Sequence, residues 1–379
     1  MRVLNVNHTL DPVHGGGTAE RTFQMSRFLA SSGVECTVLT CAAGLSPARA
    51  AALTNVRVVA VPLLWRRFFV PRISLPLLNE LINAADIIHL MGHWSPLNAM
   101  VYWAARRAGK PYVICPAGAL PIYGRSRVLK RLYNAVAGTR IVRNANACIA
   151  ISPDELDHFA AYGVAAHNVR VIPNGIDPDD YAESDGSRFR AKFGIGEHPF
   201  VLFVGRLNPI KGPDLLLQGF CAVKDDFPDF HLVFAGPDGG MLKSLQDMTR
   251  GEGMMERVHF VGYIAGADKV SAYRATSLLA IPSRQEAMSI VVLEAGITKT
   301  PVLLTDQCGL NDVAGFGGKV APPTVEGIRK GLSEMLADPA SLAAKGERLD
   351  AFTRERFLWE SIVQVYIRLY EQLLCKPAG

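Results

Sequence analysis

The chain has 379 residues, which exceeds a single typical domain and favours two. Its composition, 49% hydrophobic and 20% charged, is that of a globular protein, and seven cysteines without a C-x2-C pair argue against a disulfide framework or a structural zinc site. The formal net charge is +5, and the opening MRVLNVNHTLDP has no signal-peptide core. The cysteine pattern makes the cytosol the expected compartment, and no apolar run approaches the roughly 20 residues of a membrane-spanning helix.

The positive charge is concentrated in the first half. Residues 1–172 hold eighteen Lys and Arg against eight Asp and Glu, a net +10, and the remainder holds 22 against 27, a net −5. No acidic residue occurs from Ile87 to Pro153. A basic half fits nucleic acid, an anionic membrane surface or phosphate-bearing substrates, or is a solvated face without a partner. Nucleic acid is disfavoured, because the basic half lacks interleaved aromatic platforms.

Short apolar runs alternate with helical patterns through the first half, and a helix is predicted over about Ala19 to Ser31. This alternation predicts a parallel, doubly wound α/β sheet. The predicted strands are Val3–Asn7, Glu35–Thr40, Val56–Val61, Ala85–Leu90, Tyr112–Cys115, Cys148–Ile151 and Val169–Ile172.

A glycine loop, Asp11 to Gly17 (DPVHGGG), follows the first predicted strand. Parallel sheets bind ligands at the carboxyl ends of their strands, so the loop is a candidate ligand loop. Its pattern is not G-x-G-x-x-G, and no acidic residue ends the second strand, which disfavours a dinucleotide fold of the NAD type. A triple glycine is equally typical of a flexible turn.

Two histidines, His89 and His93, lie at and just after a predicted strand. A lone His is more often structural than catalytic, although His is also the usual proton carrier near neutral pH. We retain His93 as a candidate for acceptor binding or proton handling.

Two segments of the first half combine basic and apolar residues: 122–143 (IYGRSRVLKRLYNAVAGTRIVR) and 62–78 (PLLWRRFFVPRISLPLL). A basic amphipathic helix beside an aromatic and basic loop is typical of docking to an anionic membrane surface. Ordinary helix packing with solvated basic faces gives the same pattern.

The second half begins after Pro173-Asn174-Gly175-Ile176-Asp177, a turn signal that places a domain boundary near Pro173. Asp177-Pro178-Asp179 spells D-x-D, but a linker turn explains it better than a metal motif. A predicted strand, Phe200–Val204, then leads through GRLNPIKG to a helix over Pro213–Val223. Arg206 and Lys211 flank this turn at a helix N-terminus, a favourable place for a diphosphate, although solvated loop cations would look the same.

The segment Ser277 to Thr298 carries the strongest signal. A predicted strand at Leu278–Ile281 ends at Pro282, and a helix begins with Ser289 as a plausible N-cap. A strand, a tight loop and a helix N-terminus form a phosphate site, yet Glu286 and Glu294 lie within it. Carboxylates there suit a ligand with hydroxyl groups beside its phosphates, such as a nucleotide sugar. The alternative is a surface acid and an ordinary helix Glu.

Three remaining strands and one helix complete the prediction. The strands are Leu232–Ala235, Val258–Phe260 and Pro301–Thr305, and Phe352 to Leu374 reads as one long helix.

Three motifs together resemble the signature of family-4 retaining glycosyltransferases of the GT-B fold. They are E-x7-E from Glu286 to Glu294, G-R-L-x-x-x-K-G from Gly205 to Gly212, and I-P-N-G-I-D from Ile172 to Asp177. The resemblance covers nearly the whole chain, with departures. The family loop usually reads E-G-F-G where this chain has Glu286-Ala287-Met288-Ser289, and the family often carries His where this chain has Met91 and Ala117. Asp306 to Gly309 stands where the family has a glycine-rich turn beside the donor.

The resemblance implies two Rossmann-like, doubly wound domains facing a cleft. Residues 1–172 would bind the acceptor and residues 173–355 the nucleotide-sugar donor, with 356–379 forming a helix that packs back on the first domain. The reaction would be retaining transfer of a hexose from a nucleotide-diphosphate sugar to a saccharide or lipid-linked saccharide, in cell-surface polysaccharide synthesis. No cofactor and no metal are implied, and the protein would be cytoplasmic or peripheral at the inner face of the membrane.

The resemblance also assigns roles to residues. Arg206 and Lys211 would neutralise the leaving diphosphate and Glu286 would hold sugar hydroxyls. The donor-binding set consists of Gly16 and Gly17 against the donor, Ile264 near the base, the backbone N–H groups of Met288, Ser289 and Ile290 at the phosphates, and Glu294 at the ribose.

Two other functions remain open at this point. A nucleotide-sugar epimerase or a phosphorylase-like enzyme could use the same fold. The replaced glycines and histidines also fit a catalytically impaired protein that binds the donor or acts as a membrane-associated scaffold.

Overall fold

A computed structural model describes residues 1–122, 126–182 and 185–375. The chain forms two compact units: unit 1 comprises Met1–Gly175 and the chain from Trp359 onward, and unit 2 comprises Ile176–Leu358. The sequence places the corresponding boundaries near Pro173 and at residue 356. Residues 123–125, which belong to the predicted basic segment 122–143, lie outside the described residues.

Unit 1 is built on a parallel sheet whose central strands are buried apolar runs. The strands of unit 1 are β1 (Arg2–Val6), β2 (Glu35–Cys41), β3 (Val56–Val61), β4 (Leu63–Trp65), β5 (Val70–Pro71), β6 (Ile87–Met91), β7 (Tyr112–Cys115), β8 (Ala147–Ala150) and β9 (Val169–Val171). The sheet order is β3-β2-β1-β6-β7-β8-β9, and β4 and β5 form a separate antiparallel pair. The predicted parallel sheet is confirmed.

Helices connect these strands, as right-handed parallel crossovers require. They are α1 (Pro12–Ser31), α2 (Pro47–Ala51), α3 (Leu75–Ala84), α4 (Pro96–Arg107), α5 (Arg127–Tyr133), α6 (Thr139–Arg143) and α7 (Leu156–Ala161). A π-helical turn, Asn134–Gly138, joins α5 to α6.

Helix α1 begins at Pro12 and is kinked at Gly16, so the helix predicted from about Ala19 corresponds to the part after the kink, and the turn before the kink was not predicted. Asp11 caps the helix, because its side chain accepts the Val13 N–H, and proline is favoured at the first helical position. Only Gly16 departs from helical geometry, with φ 54° and ψ −139°. The glycines therefore form a break within a helix rather than a loop before one.

Unit 2 repeats the plan with a second parallel sheet. Its strands are β10 (Phe200–Val204), β11 (His231–Ala235), β12 (Val258–Gly262), β13 (Leu278–Ile281), β14 (Val302–Thr305) and β15 (Lys319–Ala321), in the order β12-β11-β10-β13-β14-β15. The helices are α8 (Ser187–Phe193), α9 (Pro213–Cys221), α10 (Leu242–Gly251), α11 (Gly266–Ala275), α12 (Ile290–Ile297), α13 (Val325–Leu336) and α14 (Pro339–Arg356).

The last helix is α15 (Trp359–Leu374), so the prediction of one helix over Phe352–Leu374 was wrong. The chain leaves helical geometry at Phe357, whose carbonyl accepts the Ile176 N–H at 2.7 Å, and Leu358 forms a bridge with Ile176. Apolar periodicity could not reveal this break, because Phe357 and Trp359 are both buried. Helix α15 belongs to unit 1, where it packs against α1.

Each sheet reverses its strand order beside its first strand. The reversal lies between β1 and β6 in unit 1 and between β10 and β13 in unit 2. Ligands of open α/β sheets bind outside the carboxyl ends of the strands at such switch points. None of the helices in the described ranges has the length and apolar character needed to cross a bilayer.

Candidate functional site

The switch point of unit 2 brings together the two segments that carry the sequence motifs. Residues 205–212 leave the carboxyl end of β10 and residues 282–289 leave that of β13, the strand beside it. Residues 205–212 are called the first loop below, and residues 282–289 the second loop. Both lead directly into helices, α9 and α12.

The first loop is held in a tight turn that ends at Gly212. The Lys211 N–H donates to the carbonyl of Asn208 and also to its side-chain Oδ1, at 3.2 and 3.0 Å. Gly212 has φ +65°, and a Cβ there would lie 2.1 Å from the Pro282 carbonyl oxygen. A side chain at this position would therefore push the two loops apart. The stem of Arg206 packs against Gly239, where a Cβ would lie 2.9 Å from Arg206 Cγ.

An ion pair joins the first loop to the second. Lys211 Nζ donates to Glu286 Oε1 at 2.7 Å, and the Ser283 hydroxyl donates to Glu286 Oε2 at 3.0 Å. The Glu286 side chain is 14% exposed and that of Lys211 is 31% exposed, so both reach the surface of the switch point. Two residues predicted from separate motifs are thus in direct contact.

A second link between the loops was missed by the sequence analysis. The Arg284 guanidinium donates to Asp214 Oδ1 at 2.9 Å and Oδ2 at 2.6 Å, and to the Pro209 carbonyl at 2.8 Å. The Arg284 N–H also donates to the Ile210 carbonyl at 2.7 Å. Such a bidentate pair fixes geometry as well as distance. Arg284 sits two residues before Glu286, but nothing in the sequence indicates that its partner would be Asp214 of α9.

The amino end of α12 differs in one respect from the prediction. The Ser289 N–H, which was predicted to meet a phosphate, donates to the Cys308 carbonyl at 3.1 Å. Ile290 is the first helical residue, and the first N–H groups of a helix have no acceptor within it. Ser289 occupies the N-cap position but its hydroxyl makes no capping bond; within the described residues the buried Oγ has no hydrogen-bond partner.

The turn after β14 supports the second loop from behind. Gly309 has φ +67°, and a Cβ there would lie 1.8 Å from the Ala287 carbonyl oxygen. The Glu286 N–H donates to the Gln307 carbonyl at 2.9 Å. Gly309 therefore permits the close contact that holds Glu286, Ala287 and Met288 in place, and Met288 is buried.

Glu294 is buried, with 4% of its surface exposed, and three donors surround it. Tyr181 Oη and Lys269 Nζ donate to Oε1 at 3.0 and 2.6 Å, and Tyr273 Oη donates to Oε2 at 2.5 Å. Burial raises the pKa of Tyr273 well above its usual value, and the Glu294 carboxylate raises it further, so this hydroxyl keeps its proton. A carboxylate has about four acceptor positions, which leaves capacity on Oε2 for a ligand hydroxyl.

Ile264, predicted near the nucleotide base, follows the end of β12 and is buried. Gly262, the last residue of β12, has φ +73°, which turns the chain before Ile264. Within the described ranges, no three His, Cys, Asp or Glu side chains are grouped so that they could hold a metal ion.

In unit 1, the N-cap and the first turn of α1, the helix that follows β1, carry a pair that sequence analysis did not single out. His14 Nδ1 contacts the Asp11 carboxylate, and the His14 side chain is 69% exposed. Burial raises the pKa of Asp11, but hydrogen bonds from His14 and from the Val13 N–H outweigh it and hold this pKa below its usual range. Gly16 and Gly17, predicted to face the donor, follow within α1.

His93, the candidate proton carrier, follows β6 and is buried among aromatic rings. The centroid of its ring lies 4.4 Å from the ring centroid of Trp94, 5.4 Å from that of Tyr162 and 5.6 Å from that of Tyr133, and all three are edge-to-face contacts. Nε2 lies 2.9 Å from Asn134 Oδ1, and Nδ1 has no partner among the described residues. Burial lowers the pKa of His93 to about 4, so the ring is neutral near pH 7.

The fold of this chain is similar to that of solved protein structures. A solved structure, Anabaena Alr3699/HepE in complex with UDP and glucose, superposes with a TM-score of 0.80 at 20% identity, covering 98% of this chain and 99% of that one. The two parallel-sheet, Rossmann-like domains are thus those of the GT-B fold, as predicted.

Two protein-family models together match most of the chain. "Glycosyltransferase Family 4" matches residues 15–180 and "Glycosyl transferases group 1" matches residues 185–355. The chain belongs to the group 1, family-4 glycosyltransferases, which confirms the resemblance seen in the sequence.

Curated relatives carry glycosyltransferase and synthase names. A D-inositol 3-phosphate glycosyltransferase of Gordonia bronchialis is 29% identical over 308 residues, which is 76% of this chain and 66% of that protein. A mannosylfructose-phosphate synthase of Agrobacterium fabrum is 32% identical over 188 residues, or 47% of this chain and 41% of that protein. The chain spans about two thirds or less of the length of these relatives.

Proposed function

We propose that the protein is a retaining glycosyltransferase that moves a hexose from a nucleotide-diphosphate sugar to a saccharide or lipid-linked saccharide acceptor. The observation that carries the proposal is the Lys211–Glu286 contact of 2.7 Å at the switch point of unit 2. It joins a cation suited to phosphate with a carboxylate suited to sugar hydroxyls. Family membership and the UDP and glucose bound by the Anabaena protein support the same reading.

Each group of the site has a role in this reaction. Lys211 and Arg206 neutralise the charge that develops on the leaving diphosphate, which is usually the largest catalytic term. Glu286 accepts hydrogen bonds from the sugar hydroxyls and Glu294 from the ribose. The amino end of α12 adds its dipole and its first N–H groups to the phosphate site.

Donor binding requires an exchange of partners. Lys211 and Glu286 bond to each other in the structure, and in the proposed complex each bonds to the donor instead. Arg284 and Asp214 then keep the loops in register, because their contacts do not involve the proposed ligand groups. Arg206 and Lys211 supply the positive charge that a divalent cation would otherwise supply, so we expect activity to persist in a chelator.

The acceptor is proposed to bind unit 1. The excess of basic residues in 1–172 favours an anionic acceptor or an anionic surface that carries it. The curated relatives named above carry phosphorylated acceptors or products in their names. We therefore propose a phosphorylated or lipid-linked saccharide, with the protein peripheral at the cytoplasmic face of the membrane in cell-surface polysaccharide synthesis.

Two exposed apolar surfaces of unit 1 support the membrane part of this proposal. On the hairpin of β4 and β5, Leu64 is 73% and Trp65 57% exposed, beside Arg66 and Arg67. On α5 and the turn after it, Val128 is 77%, Leu132 59% and Val136 57% exposed, next to further cations. Apolar residues beside Arg and Lys suit an anionic bilayer surface. Vesicle flotation tests it: binding to phosphatidylglycerol vesicles but not to phosphatidylcholine vesicles is expected, and equal binding to both would contradict it.

The first experiment is a thermal-shift panel of UDP-, GDP- and ADP-sugars on wild type and Arg206→Ala. At a hundredfold excess over Kd, a bound donor stabilises the protein by about 2.7 kcal/mol. A shift with one nucleotide class that is lost in the variant supports the donor site.

Turnover of that donor is then measured with glucose, fructose 6-phosphate and D-inositol 3-phosphate as acceptors, and by nucleoside-diphosphate release with water as acceptor. Binding without any turnover would favour the impaired scaffold, and turnover to an isomeric nucleotide sugar without an acceptor would favour an epimerase.

A further inference from the structure

The buried carboxylate of Glu294 has fewer free acceptor positions than a ribose has hydroxyl groups to place. Tyr181 Oη and Lys269 Nζ both bond to Oε1, and Tyr273 Oη takes one of the two positions on Oε2. A single position on Oε2 is left, whereas the ribose of a nucleotide carries two neighbouring hydroxyl groups. With these bonds kept in the complex, the second hydroxyl needs a partner other than Glu294.

Lys269 is the group beside Glu294 that can supply this partner. Its Nζ lies 2.6 Å from Glu294 Oε1, and an ammonium has three donor hydrogens, of which this bond uses one. The Lys269 side chain is 24% exposed, so its remaining donors can reach a ligand. In the part of the chain that the structure describes, Glu294 is its one ion-pair partner. The adjacent carboxylate of Asp268 bonds instead to Arg188 and Lys192.

Both groups lie at the edge of the sheet where the donor is proposed to bind. Lys269 is in the first turn of α11 and Glu294 is in the second turn of α12. These helices follow the carboxyl ends of β12 and β13, and ligands of open α/β sheets bind at that edge. Ile264, predicted near the base, lies between β12 and α11. Base and ribose are neighbours in a nucleotide, so a ribose contact from α11 fits this order.

Two tyrosines keep the pair in one arrangement. Tyr273 lies one helical turn after Lys269, and Nζ lies 6.0 Å from the centroid of its ring. Its hydroxyl holds Glu294 Oε2 at 2.5 Å, and that of Tyr181 holds Oε1 at 3.0 Å. Burial raises the pKa of Tyr273 well above its usual value, so this hydroxyl remains a donor. The pair thus presents a carboxylate acceptor and an ammonium donor side by side.

We propose that Lys269 and Glu294 together bind the two ribose hydroxyl groups, and that the donor is a ribonucleoside-diphosphate sugar rather than one built on 2′-deoxyribose. This proposal rests on the glycosyltransferase function proposed above. One hydroxyl donates to Glu294 Oε2, and its neighbour accepts a hydrogen bond from Lys269 Nζ. A 2′-deoxyribose lacks one of these hydroxyls and leaves a charged, largely buried group without its partner. Sites built to bond a hydroxyl reject analogues that lack it.

The test measures the Kd of UDP, GDP and ADP, and of their 2′-deoxy and 3′-deoxy forms, for wild type and Lys269→Met by calorimetry. Methionine keeps an unbranched stem but has no donor. For the nucleotide class that binds wild type, each missing hydroxyl should weaken binding by roughly 10- to 100-fold, because its partner is charged. In Lys269→Met one of these two losses should shrink to within about threefold, and the other, which reports the bond to Glu294, should remain.

Lys224→Met is the matched control, because Lys224 is 28% exposed and also pairs with a carboxylate, that of Glu252. It should change none of these constants. If Lys269 only neutralises Glu294, its replacement weakens the three forms of the nucleotide equally and leaves both losses as in wild type, which would overturn the proposal.

The wild-type measurements decide the nucleotide class without any variant. Equal binding of a ribonucleotide and its 2′-deoxy form would overturn the proposal and leave the glycosyltransferase function intact. A wild type that binds none of these nucleotides, and none of the nucleotide sugars, would contradict both proposals.

Discussion

The two switch points have the same topology and different chemistry. In unit 2 the loops after β10 and β13 are joined by two ion pairs, Lys211–Glu286 and Arg284–Asp214. In unit 1 the N-cap Asp11 contacts His14 in the first turn of α1, and the segment after β6 places His93 in an aromatic cluster. The two loops of unit 2 thus hold charged side chains at fixed positions through contacts between distant segments, whereas the pair in unit 1 is formed by residues three apart in the sequence.

Removing the Glu286 carboxylate at the switch point of unit 2 should have the largest effect on turnover. Glu286→Gln keeps the size of the side chain but removes the charge that would hold sugar hydroxyls, so turnover should fall by about 10²–10³-fold. The Lys211–Glu286 pair is partly exposed, so its loss should barely change stability. Nucleoside-diphosphate release and the melting midpoint are measured together. Glu334→Gln, which removes an exposed ion pair of unit 2, is the control, and equal activity in the two variants would refute the assignment.

Removing the Arg284–Asp214 pair tests whether the connection between the first and second loops contributes to activity. Arg284→Ala frees the second loop from Asp214 and from the Pro209 carbonyl, and a small displacement of Glu286 should cost roughly 10- to 100-fold in kcat/KM. Asp214→Ala should cause a smaller loss, because it leaves the bond of Arg284 to the Pro209 carbonyl in place, and the double variant should lose no more than Arg284→Ala, because both single variants remove the Arg284–Asp214 pair. Arg284→Lys should recover only part, since lysine lacks the bidentate fork. Arg250→Ala, which removes the exposed ion pair of Arg250 with Asp247, serves as the control. Additive losses in the double variant would contradict the prediction.

The buried carboxylate of unit 2 should matter for stability as well as for binding. Glu294→Gln leaves Lys269 without a charged partner and places an amide among Tyr181, Tyr273 and that cation, so unfolding free energy should fall by roughly 1–3 kcal/mol. Calorimetry measures the loss, and the thermal shift caused by donor should shrink too. Glu347→Gln, at an exposed pair with Lys299, should change neither quantity. A stable variant with normal donor binding would argue against Glu294 as a ribose ligand.

The pH dependence of unit 1 should report the buried His93. Its pKa is about 4 in the folded protein, whereas an unfolded histidine titrates near 6.5. Between these values the unfolded chain binds a proton that the folded chain does not, so stability falls as pH drops below about 6.5, by at most about 1.4 kcal/mol per unit from this group. His93→Gln should reduce this slope, leaving the contribution of His89, whose pKa burial lowers to about 3, and His167→Gln should not change it. The four tryptophans, Trp65, Trp94, Trp103 and Trp359, all lie in unit 1, so their fluorescence follows its unfolding selectively. An unchanged slope in His93→Gln would contradict the prediction.

The sheets were largely predictable because their strands are continuous apolar runs. Tyr112–Cys115, Phe200–Val204 and Leu278–Ile281 occur as predicted, since a strand buried on both faces needs little besides apolar residues between turns. Helix ends were less predictable. At Pro12 a capping bond from Asp11 extends α1 beyond the apolar pattern, and at Phe357 pairing with Ile176 interrupts it.

Local motifs identified the charged groups of the candidate donor site but not their partners. Arg206, Lys211, Glu286 and Glu294 were each recognised from short-range spacing. The contact of Lys211 with Glu286 and that of Arg284 with Asp214 cross 75 and 70 residues of sequence, and no local pattern specifies them. The Ser289 N–H was predicted to meet a phosphate, and the sequence did not indicate that the Cys308 carbonyl, brought close by the turn at Gly309, accepts a hydrogen bond from it.

The sequence alone determined the fold class, the family and the charged residues of the second unit, because strand burial, turn chemistry and short motifs are local properties. Only the tertiary structure decided which of two histidines is buried and which is exposed. His93 and His14 each follow a parallel strand and look alike in sequence, yet one is enclosed by Trp94, Tyr133 and Tyr162 and the other is held outward by Asp11. Burial and partner choice depend on which distant segments the sheet brings together, and this is a property of the folded chain.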